Sequence, residues 1–380
     1  MMRTKILLVD DDEMLLAGLK RQLRNKFRVE TAVNGEEAVK KVEKNGPYAV
    51  VVSDYMMPGM NGIDFLRRVK QSDPDTIRMM LTGSADMTTA IKAVNEGSIY
   101  KFHPKPCPAE ILGDAIQSGI DEYQKITTDH TQLKNFQSHL TKASKLQQML
   151  MPKSEPQVDG YDIAGKSISC DETGGDYYDF INPEEWGQEK IGIVVADVIG
   201  HGISAAILMT SVRACFRERI LSPDNGVAIV SDVNKRLVQD IEALNLFITM
   251  FYSEIDLKEK CFRWVHAGHE SALSYSPATD TCAILGGEGV PLGVMKDWIF
   301  EEANIPLQSG QIILIGTDGI KEACNPENEH FGNERLQMVI KENHTRSAKQ
   351  ILDAVYDALE KFRGLAERKD DETMVVVNVL

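Results

Sequence analysis

The chain has 380 residues, 43% hydrophobic and 26% charged, which at roughly 100–200 residues per domain suits two or three domains with sizeable cores. Its 57 acidic and 42 basic side chains give a net charge of -15, which repels phosphate backbones and argues against nucleic-acid binding as the main output, a local basic patch aside. No stretch approaches the ~20 apolar residues of a membrane span, the N-terminus lacks the apolar run of a secretory signal, and Cys107, Cys170, Cys215, Cys261, Cys282 and Cys324 form no CxxC pair, so free thiols in a reducing, cytoplasmic setting are expected.

Residues 5–9 (KILLV) read as a short buried strand ending at Asp10, followed by a helical pattern through Leu15, Leu16, Leu19 and Leu23. Further strands are expected at 49–53, ending at Asp54, at 78–81, ending at Thr82, and at 99–102, shortly before Lys105-Pro106. Helical patterns at 64–69 and 88–95 lie between them. Strands alternating with helices predict a parallel sheet with helices on both faces. In such sheets the site forms at the carboxyl ends of the strands, where Asp10, Asp11, Asp54, Thr82 and Lys105 fall.

From 108 to 150 apolar residues recur mostly at three- and four-residue steps, and Met151-Pro152 closes the stretch. This predicts one long helix. It is either a coiled-coil-like connector that pairs two copies of the chain or a helix packed on one of the domains; His130, Gln137 and Gln147 interrupt its seam. Beyond it, strands are expected at 191–196, 247–255, 262–266, 311–316 and 373–379, and helices at 203–219, 226–241 and 347–362. Successive strands joined by short turns favour antiparallel sheet with helices outside. The expected organisation is 1–122, a connector 123–153, and 154–380.

Carboxylates brought together at strand ends repel, and a cation lets them all stay ionised. Oxygen ligands suit Mg²⁺. A threonine hydroxyl and a lysine complete the parts for phosphoryl transfer to an aspartate. The segments ILLVDDDE, VVSDYMMPGMNG, MMLTG and FHPKP, in this order over roughly residues 4–120, resemble the CheY-like receiver domains of response regulators. The resemblance implies a doubly wound, five-stranded parallel α/β sheet, Asp54 as phosphoacceptor, and Asp10 and Asp11 as the acidic metal-binding pair, with Asp11 favoured over Asp10 as the direct Mg²⁺ ligand and the Met56 carbonyl beside it. It also implies Thr82, Phe102 and Lys105 as the switch residues, a cis Lys105-Pro106 bond, and a sensor histidine kinase as partner.

Four later segments set aspartates beside glycines or at strand ends: GGDYYDF (174–180), VVADVIGHG (194–202), IGTDG (315–319) and KDDETMVVV (369–377). Such a set can hold two metal ions that activate water for displacement at phosphorus. Read separately, Asp176 and Asp179 are ordinary turn caps and Asp318-Gly319 an ordinary hairpin turn. His266 and His269 flank Ala267-Gly268 without a second ligand pair, which disfavours zinc. His201, between two glycines, is read as structural.

Together with QQMLMPKSEP, AGHESAL and GVPLGV, these segments resemble the SpoIIE-like and RsbU-like branch of the PPM metal-dependent serine/threonine phosphatases, over roughly 156–380. The implied fold is α+β, a β-sandwich flanked by helices. The implied ligands of two Mn²⁺ or Mg²⁺ ions are Asp176, Asp197 (bridging), Asp318, Asp370 and the Val198 carbonyl, with Asp371 able to exchange roles with Asp370. The implied substrate is a phosphorylated anti-sigma-factor antagonist. An RssB-like adaptor, which keeps the fold without turnover, is the alternative; it is marked by loss of the aspartates, all of which are present here.

Overall fold

The computed structural model describes residues 4–83, 99–186, 189–222, 224–241 and 246–380. The chain divides after Gln137 into two compact units, and the division falls inside the expected connector. The helical pattern at 88–95 lies outside the described residues.

The N-terminal unit is built on β1 (Lys5–Val9), β2 (Arg28–Ala32), β3 (Val50–Asp54), β4 (Ile77–Thr82) and β5 (Lys101–Pro104), all parallel in the order β2-β1-β3-β4-β5. Between them run α1 (Glu13–Leu23), α2 (Gly35–Asn45) and α3 (Gly62–Ser72). The runs KILLV and VVVSD are buried on both faces, as a sheet covered by helices on both sides requires. The third aspartate of the N-terminal run, Asp12, caps α1 by accepting from the Met14 and Leu15 amides, which frees Asp10 and Asp11 from that task. Strand β2 has only two apolar positions, Val29 and Ala32, and its sequence (RVETA) carries little strand signal. Strand β5 begins two residues later than the apolar run at 99–102 suggests.

Helix α4 (Ala109–Leu150) is continuous over 42 residues. Its first turns bury Leu112, Ala115, Ile116 and Ile120 in the N-terminal core. Leu133, Phe136, Leu146 and Met149 are exposed along it.

The C-terminal unit has two five-stranded sheets, both antiparallel. One contains β7 (Tyr177–Ile181), β8 (Lys190–Val198), β9 (Ile248–Asp256), β10 (Cys261–Ala267) and β13 (Glu302–Pro306). The other contains β6 (Tyr161–Ile168), β11 (Ala272–Ser276), β12 (Thr281–Leu285), β14 (Ile312–Gly316) and β15 (Glu372–Val379). A one-turn helix, α5 (Pro183–Trp186), follows β7. Helices α6 (Ile203–Ile220) and α7 (Gly226–Ile241) pack against the first sheet. Helices α9 (Gly332–Asn343) and α10 (Ala348–Arg363) pack against the second; the short α8 (Asp318–Glu322) precedes them.

Period-two alternation builds the layers. On β8, Ile191, Ile193 and Val195 enter the core between the sheets, while Val194, Ala196 and Val198 face α6 and α7. On β15, Val375 and Val377 face inward, and Met374 and Val376 face α10. Continued to the strand ends, the inward columns reach Asp197 after Val195, Asp176 before Tyr178, and Thr317 after Ile315. The acidic residues therefore gather at one mouth of the layer between the sheets.

Candidate functional site

In the N-terminal unit, Asp10, Asp11 and Asp54 each offer a ligand atom within 4.8 Å of the others. Asp10 and Asp54 are buried, and Asp11 is exposed. Lys105 Nζ lies 2.7 Å from both Asp10 Oδ2 and Asp54 Oδ1. Burial raises the Asp54 pKa despite this partner. Burial disfavours the Lys105 ammonium too, but its hydrogen bonds to both carboxylates outweigh that and hold its pKa high. Thr82 is buried at the end of β4, and Phe102 packs half-buried on the core face shared with Met80. The Lys105-Pro106 bond is cis. The Met56 side chain is exposed, in the loop that follows β3. The sequence-derived set is thus gathered at the carboxyl ends of β1, β3, β4 and β5.

In the C-terminal unit, Asp176 is buried, and its Oδ2 accepts from Thr317 Oγ1 at 2.8 Å. Asp197 sits in β8 opposite Thr249. Asp318 opens α8, and is therefore not a hairpin-turn residue. Asp370 is exposed two residues before β15, where it accepts the Asp371 amide. Gly175 is a glycine for a reason: a Cβ there would stand 2.8 Å from the Val198 carbonyl. That contact lets the Asp176 loop approach the end of β8.

These carboxylates strain one another. Burial, then Asp197 and Asp371, push Asp176 well above the usual carboxylate range. Burial, then Asp318, Asp370 and Asp371, push Asp197 up to about 7. Burial, then Asp370, Glu322 and Glu270, push Asp318 up to about 6. Neighbouring cations are engaged elsewhere: Arg217 with Asp179, Lys321 with Glu270, and Arg363 and Arg368 with Glu360 and Glu372. A cluster of carboxylates that no lysine or arginine pairs with among the described residues, beside the Val198 carbonyl that Gly175 approaches, fits hard divalent cations.

Asp371 is different in kind. Its carboxylate is buried and accepts from the amides of Cys170 (2.8 Å), Gly175 (2.6 Å) and Asp176 (3.3 Å). A carboxylate occupied by backbone amides holds a loop, so the geometry favours Asp370 as the ligand. Asp179 is also absorbed structurally, by Arg217 and the Tyr177 hydroxyl. His269 is buried next to the site, with Nδ1 2.7 Å from Thr249 Oγ1; burial holds its pKa down at about 3. His201 is exposed, and its Nδ1 lies 2.6 Å from Asp171 Oδ2.

Gln147, which breaks the apolar seam of α4, is buried. It donates to the Gly174 carbonyl at 2.6 Å and accepts the Gly174 amide at 3.1 Å. Nothing in its local pattern distinguishes it from an exposed helical glutamine. Gln147→Ala leaves both backbone groups unpaired, at roughly 1–3 kcal/mol, two residues before Asp176. A several-fold rise in the Mn²⁺ concentration for half-maximal activity is expected; an unchanged Mn²⁺ titration would remove Gln147 from the site.

Residues 187–380 match the family described as Stage II sporulation protein E (SpoIIE), and residues 6–117 match the response regulator receiver domain. Phosphoserine phosphatase RsbU of Bacillus subtilis (strain 168) is 30% identical over 258 residues, covering 67% of this chain and 74% of that protein. The SiaA PP2C domain of Pseudomonas aeruginosa shares the fold, with a TM-score of 0.55 at 20% identity over 65% of this chain and 98% of that one. The PP2C domain of SpoIIE from Bacillus subtilis, with a fragment of its regulatory domain, has a TM-score of 0.51 at 18% identity over 60% of this chain and 64% of that one.

Proposed function

Because the chain belongs to the SpoIIE family of metal-dependent serine/threonine phosphatases and carries a receiver domain ahead of the phosphatase domain, we propose that phosphorylation of Asp54 controls hydrolysis of phosphoserine or phosphothreonine on a partner protein. The observation that carries this reading is the acidic cluster at the mouth of the sheet sandwich, where buried Asp176 stands with partly buried Asp197 and Asp318 and exposed Asp370.

Asp176, Asp197, Asp318, Asp370 and the Val198 carbonyl would hold two Mn²⁺ or Mg²⁺ ions. When bound, such ions activate water and offset charge at phosphorus. The chain's own residues prepare the site: Thr317 fixes one oxygen of Asp176, Asp371 accepts the Gly175 and Asp176 amides, and β8 holds Asp197 in register with β9. In the receiver, Asp11, Asp54 and the Met56 carbonyl would take Mg²⁺. Lys105 would then exchange its carboxylate partner for a phosphoryl oxygen, and Thr82 would contact the same group. The phosphoryl donor would be a sensor histidine kinase.

The relative RsbU is named a phosphoserine phosphatase, and this supports a phosphoserine protein as substrate here. We assign the anti-sigma-factor-antagonist class to that substrate, a cytoplasmic setting to the reaction, and pairing of two copies to α4. The exposed Leu133, Phe136, Leu146 and Met149 support the pairing. Control is tested with a small-molecule phosphodonor: wild-type turnover should change several-fold on treatment, and Asp54→Ala should not respond. Equal responses in both proteins would end the proposed role of Asp54.

A further inference from the structure

A second set of ligand atoms lies outside the aspartate cluster. Cys170, Asp171 and His201 each offer one donor atom within 4.8 Å of the other two. The thiol, carboxylate and imidazole come from two loops. Cys170 and Asp171 follow β6 in the segment that leads to Asp176, and His201 follows β8 four residues after Asp197. His201 sits between Gly200 and Gly202, both at positive φ (85° and 77°), a backbone conformation open to glycine and costly for most residues. That turn carries the imidazole back over the first loop, to 2.6 Å from Asp171 Oδ2. The Cys170 amide is anchored on Asp371 Oδ1 at 2.8 Å, which fixes the base of its loop.

We propose that Cys170 Sγ, an Asp171 carboxylate oxygen and a His201 ring nitrogen form a binding site for a soft or borderline divalent cation such as Zn²⁺, separate from the hard-cation aspartate set. The donor chemistry separates the two. Oxygen-only ligands suit Mg²⁺ and Mn²⁺, whereas a thiolate and an imidazole select zinc-like ions. Three protein ligands with Asp171 and His201 exposed leave the fourth tetrahedral position to water. The metal-free thiol is protonated, since burial and the nearby Asp371 carboxylate push it up to about 12. Binding therefore breaks the S–H bond, forms the S–metal bond and releases the thiol proton to solvent, with the proton of any imidazolium form of His201; no electron is transferred. Filled, the site ties the loop before Asp176 to the loop after Asp197. Empty, the Asp171–His201 hydrogen bond makes the same link alone.

Co²⁺ reports on such a site without reference to activity, because only a cysteine ligand gives a thiolate-to-cobalt charge-transfer band in the near ultraviolet. Full-length protein, reduced and pre-equilibrated with Mn²⁺ to occupy the aspartates, is titrated with Co²⁺. The expected result is a saturable near-ultraviolet band that Zn²⁺ abolishes by displacement. The band should be absent in Cys170→Ser and retained in Cys107→Ser, and Co²⁺ binding should weaken at least tenfold in His201→Ala. His201 lies on an exposed loop, so its variant keeps the test open should Cys170→Ser fail to fold. No band in the wild type, or a band unchanged in Cys170→Ser or His201→Ala, overturns the proposal.

Discussion

Asp197→Asn is expected to lower Mn²⁺-dependent turnover by about a hundredfold or more and, in the same protein stripped of metal, to raise the melting temperature. The loss follows from its place in the middle of the cluster, where charge stabilisation worth several kcal/mol depends on it. The gain follows from the cost of burying like charges: burial, Asp318, Asp370 and Asp371 all act against the ionised Asp197 carboxylate. An amide of the same shape removes that repulsion. At about 2–4 °C per kcal/mol for a domain of this size, the shift is readable by scanning calorimetry in chelator.

The pH dependence has a definite sign. With Asp318 held up at about 6 and Asp197 at about 7, the metal-free fold keeps protons that the unfolded chain loses above about pH 4. Their stabilising contribution is complete below that pH and is lost as the pH rises through 6–7. The metal-free wild type should therefore melt lower at pH 8 than at pH 5.5, and Asp197→Asn should flatten this fall. Equal slopes in the two proteins would mean that Asp197 does not titrate in that window.

The second large effect separates the adjacent aspartates. Asp371→Ala removes the acceptor of three backbone amides, a loss on the order of 2–4 kcal/mol, partly offset by taking a charge out of an acidic cluster. It should lower the melting temperature by several degrees, with metal or without, and lower activity along with it. Asp370→Asn touches only one local amide. It should raise the metal-free melting temperature slightly, because it removes one of the charges that act against Asp318 and Asp197, and it should abolish the stabilisation that Mn²⁺ gives the wild type. If Asp371→Asn instead removed the metal response at unchanged stability, while Asp370→Asn kept it, the two residues would have exchanged roles.

The residues that could be read in advance are those whose role is set by position along a strand. Asp10, Asp54 and Thr82 close apolar runs in a parallel sheet, and such ends converge by topology alone. Asp176, Asp197 and Thr317 extend inward columns of the sandwich, but that is visible only once Ile193, Val195 and Ile315 are known to face the other sheet. The strands that escaped, such as β2 (RVETA) and β6 (YDIAGKSI), lie at the edges of their sheets and are only partly buried, so they lack the continuous apolar run of a central strand. Asp371 and Gln147 were illegible for another reason. Their partners are backbone amides and a carbonyl far away in sequence, and no side-chain pattern announces a backbone contact. The Asp171–His201 pair likewise depends on two glycines turning the chain back, which the motif GHG permits without stating.

The most direct test is p-nitrophenyl phosphate hydrolysis with Mn²⁺ by wild type and Asp318→Asn, each with and without a phosphodonor for the receiver. The account predicts Mn²⁺-dependent turnover in the wild type, a several-fold change on phosphodonor treatment, and loss of turnover in Asp318→Asn. Equal turnover in wild type and Asp318→Asn, or turnover indifferent to Mn²⁺, would contradict it.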